Sequence, residues 1–146
     1  MPTTVEDFLT ASEEQEVIEA IRLAEKNTSG EIRVHIEKTS NNTLNKRALE
    51  VFSILKMHNT KLRNGVLIYV AVEEKAFVIY GDKGINDVVS SDFWNTTKKS
   101  IEDHFKNKNF KQGLVTGIET AGIQLKKYFP VTGINEDELP NEISFN

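Results

Sequence analysis

The seven residues "GDKGIND" (Gly81–Asp87) combine two aspartates, an asparagine, a lysine and two glycines directly after the apolar run "AFVIY". Carboxylates and a side-chain amide are hard oxygen ligands, the donors that Ca²⁺ and Mg²⁺ prefer. The same residue types also build ordinary turns, where glycine supplies positive φ and Asp or Asn hydrogen-bonds its own backbone. Both readings fit the stretch in isolation. Two other places share its chemistry, "TSGEI" and "LRNGV". In each, a glycine stands beside an acidic or amide residue: Gly30 with Glu31 and Gly65 with Asn64, as Gly81 stands with Asp82. Asn86, Asp87 and Asp92 follow Asp82 on the way into the next helix. The stretch is not an EF-hand. Asp82, Gly84 and Asn86 do not fit D-x-[DN]-x-[DN]-G, and no Glu stands at the twelfth place.

Other chemistries are poorly supplied. The chain has no cysteine, which removes disulfides, Cys-based zinc sites and thiol catalysis. His35, His58 and His104 fall on different elements and form no H-x-x-x-H pair. There is no G-x-S-x-G elbow, no P-loop and no G-x-G-x-x-G. Hydrolysis would therefore need metal-activated water. Glu31 and Asp82 would then hold the ion, and Arg33, Arg63 or Lys83 would meet a phosphate. More simply, those three cations are solvated charges, His35 is a surface side chain, and Trp94 belongs to the core.

The elements that must position these residues are legible from periodicity. "TASEEQEVIEAIRLAEKNTSG" predicts a helix, capped by Thr10 with Glu13 or Ser12 with Gln15 and buried along Val17, Ile18, Ile21 and Ala24. "EIRVHIEK" alternates, which predicts a strand with Ile32, Val34 and Ile36 in the core and a less buried face of Arg33, His35 and Glu37. "TLNKRALEVFSILKMH" returns to helical spacing. "NGVLIYVAV" is apolar on both faces, as in a strand inside a covered sheet. "EEK" and "AFVIY" complete a hairpin. Helices follow over "DFWNTTKKSIEDHF" and "FKQGLVTGIETAGIQLKKYF". Close packing would explain Gly113, Gly117 and Gly122 in the last of them, which otherwise cost helix propensity.

The order α-β-α-β-β-α-α makes the first two strands parallel through a right-handed crossover, and the third antiparallel to the second. The predicted fold is α/β, a three-layer α/β/α sandwich around a small mixed sheet. Its core comprises Ile32, Val34, Ile36, Val66, Ile68, Val70, Phe77 and Ile79. In this topology "TSGEI", "LRNGV" and "YGDKG" meet at one edge of the sheet.

With 146 residues, a single domain over 1–146 is expected, with 1–10 and a polar tail at 131–146 as peripheral segments. Within the tail, the acidic run "NEDEL" reads as solvated, and Ile143 and Phe145 can dock as an edge strand. A net charge of −4 offers no basic field for nucleic acid. No apolar run approaches the about 20 residues of a membrane helix. The acidic start "MPTTVEDFLTASEEQ" lacks the basic and apolar regions of a secretory signal. A cytoplasmic location is the expectation for the chain as it stands, with a removed signal left open.

"TSGEIRVHIE", "RNGVLIYVAVEEKAFVIYGDKGIN", Trp94, and "FKQGLVTGIETAGIQLKKYFP" followed by "ELPNEI" together resemble the TPM-domain family. The likeness covers nearly the whole chain in the same order. No single motif decides it, but the combination is fairly specific. It implies an α/β/α sandwich and divalent-cation binding, mainly of Ca²⁺. It also implies, less directly, the acid-phosphatase-like activity of plant thylakoid members. Other members act in photosystem repair or as accessory membrane proteins. This chain shows no export signal or membrane tail, so those extracytoplasmic roles do not transfer. The metal residues carry over as matches at Glu31, Asp82 and the Asn86/Asp87 pair. The expected function is thus a Ca²⁺- or Mg²⁺-binding domain acting as an interaction or regulatory module, with a protein partner possible. The alternative is a metal-dependent acid-phosphatase-like hydrolase.

Overall fold

A computed structural model describes residues 5–90, 92–131 and 143–145, without the side chain of residue 6. The elements are α1 (Val5–Phe8), α2 (Ala11–Glu25), β1 (Glu31–Glu37), α3 (Leu44–Ile54), β2 (Gly65–Ala71), β3 (Ala76–Gly81), α4 (Lys83–Asn86), α5 (Asn95–Lys106), α6 (Phe110–Tyr128) and β4 (Ile143–Phe145). Helix α2 begins in a capping box. The Thr10 hydroxyl accepts from the Glu13 N–H at 3.1 Å, and the Glu13 carboxylate accepts from the Thr10 N–H at 2.9 Å. Two short helices, α1 and α4, go beyond the predicted elements. A single turn is too short to leave a periodic signature.

The sheet order is β3-β2-β1-β4. β1 and β2 are parallel, and β2 and β3 antiparallel, as the connections require. β4 pairs in parallel with β1, from Val34 opposite Ile143 to Ile36 opposite Phe145. This edge strand turns Ile143 inward and leaves Phe145 exposed. Residues 132–142, which include the acidic run, lie outside the described residues.

Two apolar clusters sit on the two faces of the sheet. The larger joins Ile32, Val34, Ile36, Val66, Ile68 and Val70 to the stripes of α2, α5 and α6. The smaller joins Leu67, Tyr69 and Ala71 to Ala48, Val51 and Phe52 of α3. These are the layers of the predicted sandwich. On α6, a Cβ at Gly113, Gly117 or Gly122 would fall 2.6–2.8 Å from Phe105, Ile101 or Ala24, so close packing does require those glycines.

Three expectations change. Phe77 and Ile79 are only partly buried, because β3 is an edge strand and one of its flanks has no neighbouring strand among the described residues. The segment before α2 is not wholly peripheral: Phe8 and Leu9 are core residues, and the Phe8 ring stacks on Phe110 at 4.7 Å. The polar face of β1 is buried as fully as the apolar one, so Arg33, His35 and Glu37 are not a solvated row.

Candidate functional site

Strand register alone assembles the candidate site. Glu31 pairs with Gly65, and Val66 with Gly81. Beyond the ladder, the Asp82 N–H donates to the Gly65 carbonyl at 2.9 Å and the Glu31 N–H to the Asn64 carbonyl at 3.3 Å. The starts of β1 and β2 and the end of β3 therefore line up along one end of the sheet. Alternation along each strand aims positions 31, 65 and 82 at the same face, the one beneath α3. Gly65, in the middle, has no side chain. A Cβ there would lie 3.0 Å from the carbonyl oxygen of Met57, so this close approach of Met57 requires the glycine. The start of β1 is held from behind by Glu25, whose buried carboxylate accepts from the Ile32 N–H at 2.8 Å.

Asp82 is 3% exposed. It caps α4, with Oδ1 accepting from the Lys83 N–H at 2.7 Å. Arg63 grips the same carboxylate as a fork, Nε to Oδ2 at 2.8 Å and Nη2 to Oδ1 at 2.9 Å. Arg63 takes a left-handed backbone, φ 51°, and its carbonyl accepts from the Gly84 N–H at 2.8 Å. Gly84 permits this approach, since a Cβ there would fall 1.9 Å from the Leu62 carbonyl oxygen. The glycine-rich stretch is thus a strand end and a one-turn helix clamped onto the loop before β2.

The other expected residues fall as follows. Glu31 is 3% exposed and stands across Gly65 from Asp82. Asn86 is exposed and donates its amide to the Gly81 carbonyl at 3.0 Å. Asp87 is exposed and ends α4. Asn64 is 1% exposed. Its Nδ2 donates to Ser29 Oγ at 3.3 Å, while its Oδ1 has no hydrogen-bond partner among the described residues. Among the described residues, no three His, Asp or Glu side chains converge closely enough to hold an ion as they stand. Trp94 packs on Gly81, where a Cβ would fall 2.5 Å from the indole, and meets Phe93 edge-on at 4.5 Å.

Two residues expected as free surface side chains have specific partners, although Arg63 stays half-exposed. Arg63 is the partner of Asp82, and His35 lies in a buried polar chain. No local signal marks either role. Arg63 and Asp82 are 19 residues apart, and His35 and Ser144 are 109 apart. His35 Nδ1 lies 3.1 Å from Ser144 Oγ on β4, while Nε2 lies 3.5 Å from Oε1 of Glu37 on its own strand β1. Glu37 accepts from Arg47 Nε at 2.8 Å and Nη2 at 3.0 Å, and from the Tyr69 hydroxyl.

Burial pushes the His35 imidazole below its ordinary value of 6.5, against the opposing pull of Glu37. Burial by itself would raise the Glu37 carboxyl. The hydrogen bonds from Arg47 and Tyr69 outweigh it and hold the group below 4.5. Burial and the Glu37 carboxylate push the Tyr69 hydroxyl far up, so it stays a donor. For His35, a folded-state pKa below the unfolded one means that the unfolded chain takes up the proton first, so stability falls as pH drops below about 6.5. For Glu37 the stabilisation is present above 4.5 and lost as pH falls through the lowered value. Both losses have the same sign on acidification. Between pH 7.5 and 5 the wild-type melting temperature is expected to fall more steeply than that of His35→Gln. Parallel slopes in thermal melts would show that His35 does not carry this part of the pH dependence.

The wider relations of the chain agree with this architecture. No curated protein matches it at a significant level. BA42 from the psychrophilic bacterium Bizionia argentinensis, solved by NMR, is 65% identical over 99% of this chain and 100% of its own, with a TM-score of 0.93. The N-terminal domain of cg2496 from Corynebacterium glutamicum, at 9% identity over 94% of this chain and 87% of its own, has a TM-score of 0.68. The N-terminal domain of a P. gingivalis protein, at 17% identity over 84% and 79%, has a TM-score of 0.64. The last two share the fold alone. The TPM-domain family matches residues 3–124. This chain belongs to the TPM-domain family.

Proposed function

We propose that this chain is a divalent-cation-binding domain that works as an interaction or regulatory module, with the ion held at the strand ends around Gly65. The observation that carries the reading is the alignment of Glu31, Gly65 and Asp82 across three strands on one face. Two buried carboxylate positions flank Gly65, against which Met57 packs closely. The donor set is hard oxygen throughout, which suits Ca²⁺ or Mg²⁺ rather than softer metals. Asp82 and Glu31 would supply the charge, and Asn86 or Asp87 further oxygens. A bound ion relieves the repulsion between close carboxylates.

Calorimetric titration of CaCl₂ and MgCl₂ into the wild type and Asp82→Asn tests this. The wild-type melting temperature is expected to rise with ion concentration by mass action. Asp82→Asn keeps the shape but removes a charge, and its affinity is expected to drop about tenfold or more, since ligand charge sets affinity in oxygen sites. Equal affinities would remove Asp82 from the site. No heat and no thermal shift at millimolar ion would return "GDKGIND" to an ordinary turn.

A further inference from the structure

The guanidinium of Arg63 stands where a cation would approach Asp82. Its fork takes both carboxylate oxygens at 2.8 and 2.9 Å, and Oδ1 carries the Lys83 N–H as well. A divalent cation and this fork cannot occupy the same face of the carboxylate. The two ends of the pair differ in their surroundings. Asp82 is 4% exposed at its side chain, whereas that of Arg63 is 47% exposed. Asp82 therefore depends on a positive partner, whereas the Arg63 guanidinium, already half in water, gains solvation when it swings away. The backbone beneath is anchored independently of the side chain, through the Arg63 carbonyl and the Gly84 N–H. Displacing the guanidinium would leave the loop in place.

On these grounds, and resting on the cation-binding reading above, we propose that Arg63 is an internal competitor for the cation site. It neutralises Asp82 in the ion-free protein, must leave when a divalent cation binds, and so sets the ion concentration at which the domain responds. The pair is open to water on its Arg63 side, so a cation can replace the guanidinium without leaving the buried carboxylate unpaired. A guanidinium matches the carboxylate bidentately, which a lysine ammonium cannot do. The fork geometry, rather than charge alone, is what the ion displaces.

Calorimetry with CaCl₂ on the wild type, Arg63→Gln, Arg63→Lys and Lys83→Gln separates these terms, with thermal melts confirming that each variant is folded. Arg63→Gln is expected to bind Ca²⁺ about three- to tenfold more tightly, because a pair open to water only on its arginine side no longer has to be broken. Arg63→Lys keeps the charge and loses the fork, and is expected to show most of that gain. Lys83→Gln, an exposed charge next to the site, reports the effect of net charge alone and is expected to change affinity less. In ¹H–¹⁵N spectra of the wild type, the Arg63 Nε–H resonance is expected to shift towards that of a solvated arginine as Ca²⁺ is added. Wild-type binding with no gain in either Arg63 variant, or a gain in Lys83→Gln as large as in Arg63→Gln, would overturn the competitor role and leave the cation site standing. Absence of binding in the wild type and in every variant would overturn both.

Discussion

Truncating Ile68 to alanine is expected to lower the free energy of unfolding by about 2–5 kcal/mol. Ile68 is fully buried on β2, with Val34 beside it on β1 and Ile79 on β3. Its side chain belongs to the larger cluster, beneath α2, α5 and α6. The lost term is the transfer of the deleted atoms plus the cavity left behind, and the cavity persists when the walls cannot relax. Here β2 is hydrogen-bonded on both sides, so its backbone cannot close the gap without breaking two ladders. That argues for the upper part of the range. A domain of ordinary stability has about 5–15 kcal/mol to lose. Urea unfolding of Ile68→Ala measures the cost, and Ile68→Val, expected at about 0.5–1.5 kcal/mol, covers the case in which the alanine variant does not fold. A cost near zero for both would contradict the central position of β2.

Arg47→Met is expected to cost about 2–4 kcal/mol, scaled down from the loss for breaking a fully buried ion pair because the arginine is partly exposed. Glu37 is 1% exposed at its side chain and Arg47 28%. The arginine reaches from α3 across to the end of β1 and donates twice to the carboxylate. Removing it leaves a buried anion that keeps its contacts with the Tyr69 hydroxyl and the His35 ring but loses its bidentate partner. Methionine keeps much of the aliphatic volume, so the loss reports the charge and hydrogen bonds rather than packing. The carboxyl should also lose the influence that holds it below its ordinary range, and burial should then push it up. The destabilisation is therefore expected to be largest near neutral pH and to shrink as the carboxyl is protonated. Unfolding curves for wild type and Arg47→Met from pH 7.5 to 4 would show this convergence. A pH-independent difference would mean that packing, not the ion pair, carries the effect.

The elements and their order were legible in the sequence because they rest on local periodicity. The alternation in "EIRVHIEK" and the stripe Leu114, Ile118, Ala121 and Leu125 each identify an element from within. Connection length then decided strand direction. A helix between β1 and β2 makes them parallel, and a tight link between β2 and β3 makes them antiparallel. From those two facts alone, Glu31, Gly65 and Asp82 had to meet at one end of the sheet. Tertiary structure decided how each polar side chain is satisfied. β1 alternates like a half-exposed strand, yet its polar face is buried. The groups that make this tolerable, Arg47 from α3, Tyr69 from β2 and Ser144 from β4, are distant in sequence and leave no trace in the local pattern. The same holds for the Arg63–Asp82 fork and for α4, a single turn containing a glycine, which has no helical signal of its own. It exists because Asp82 caps it and Gly84 lets it lie against the backbone of Leu62 and Arg63. Periodicity reports which face of an element is apolar. The partner that satisfies a buried charge is chosen by contacts that form only when distant segments pack together.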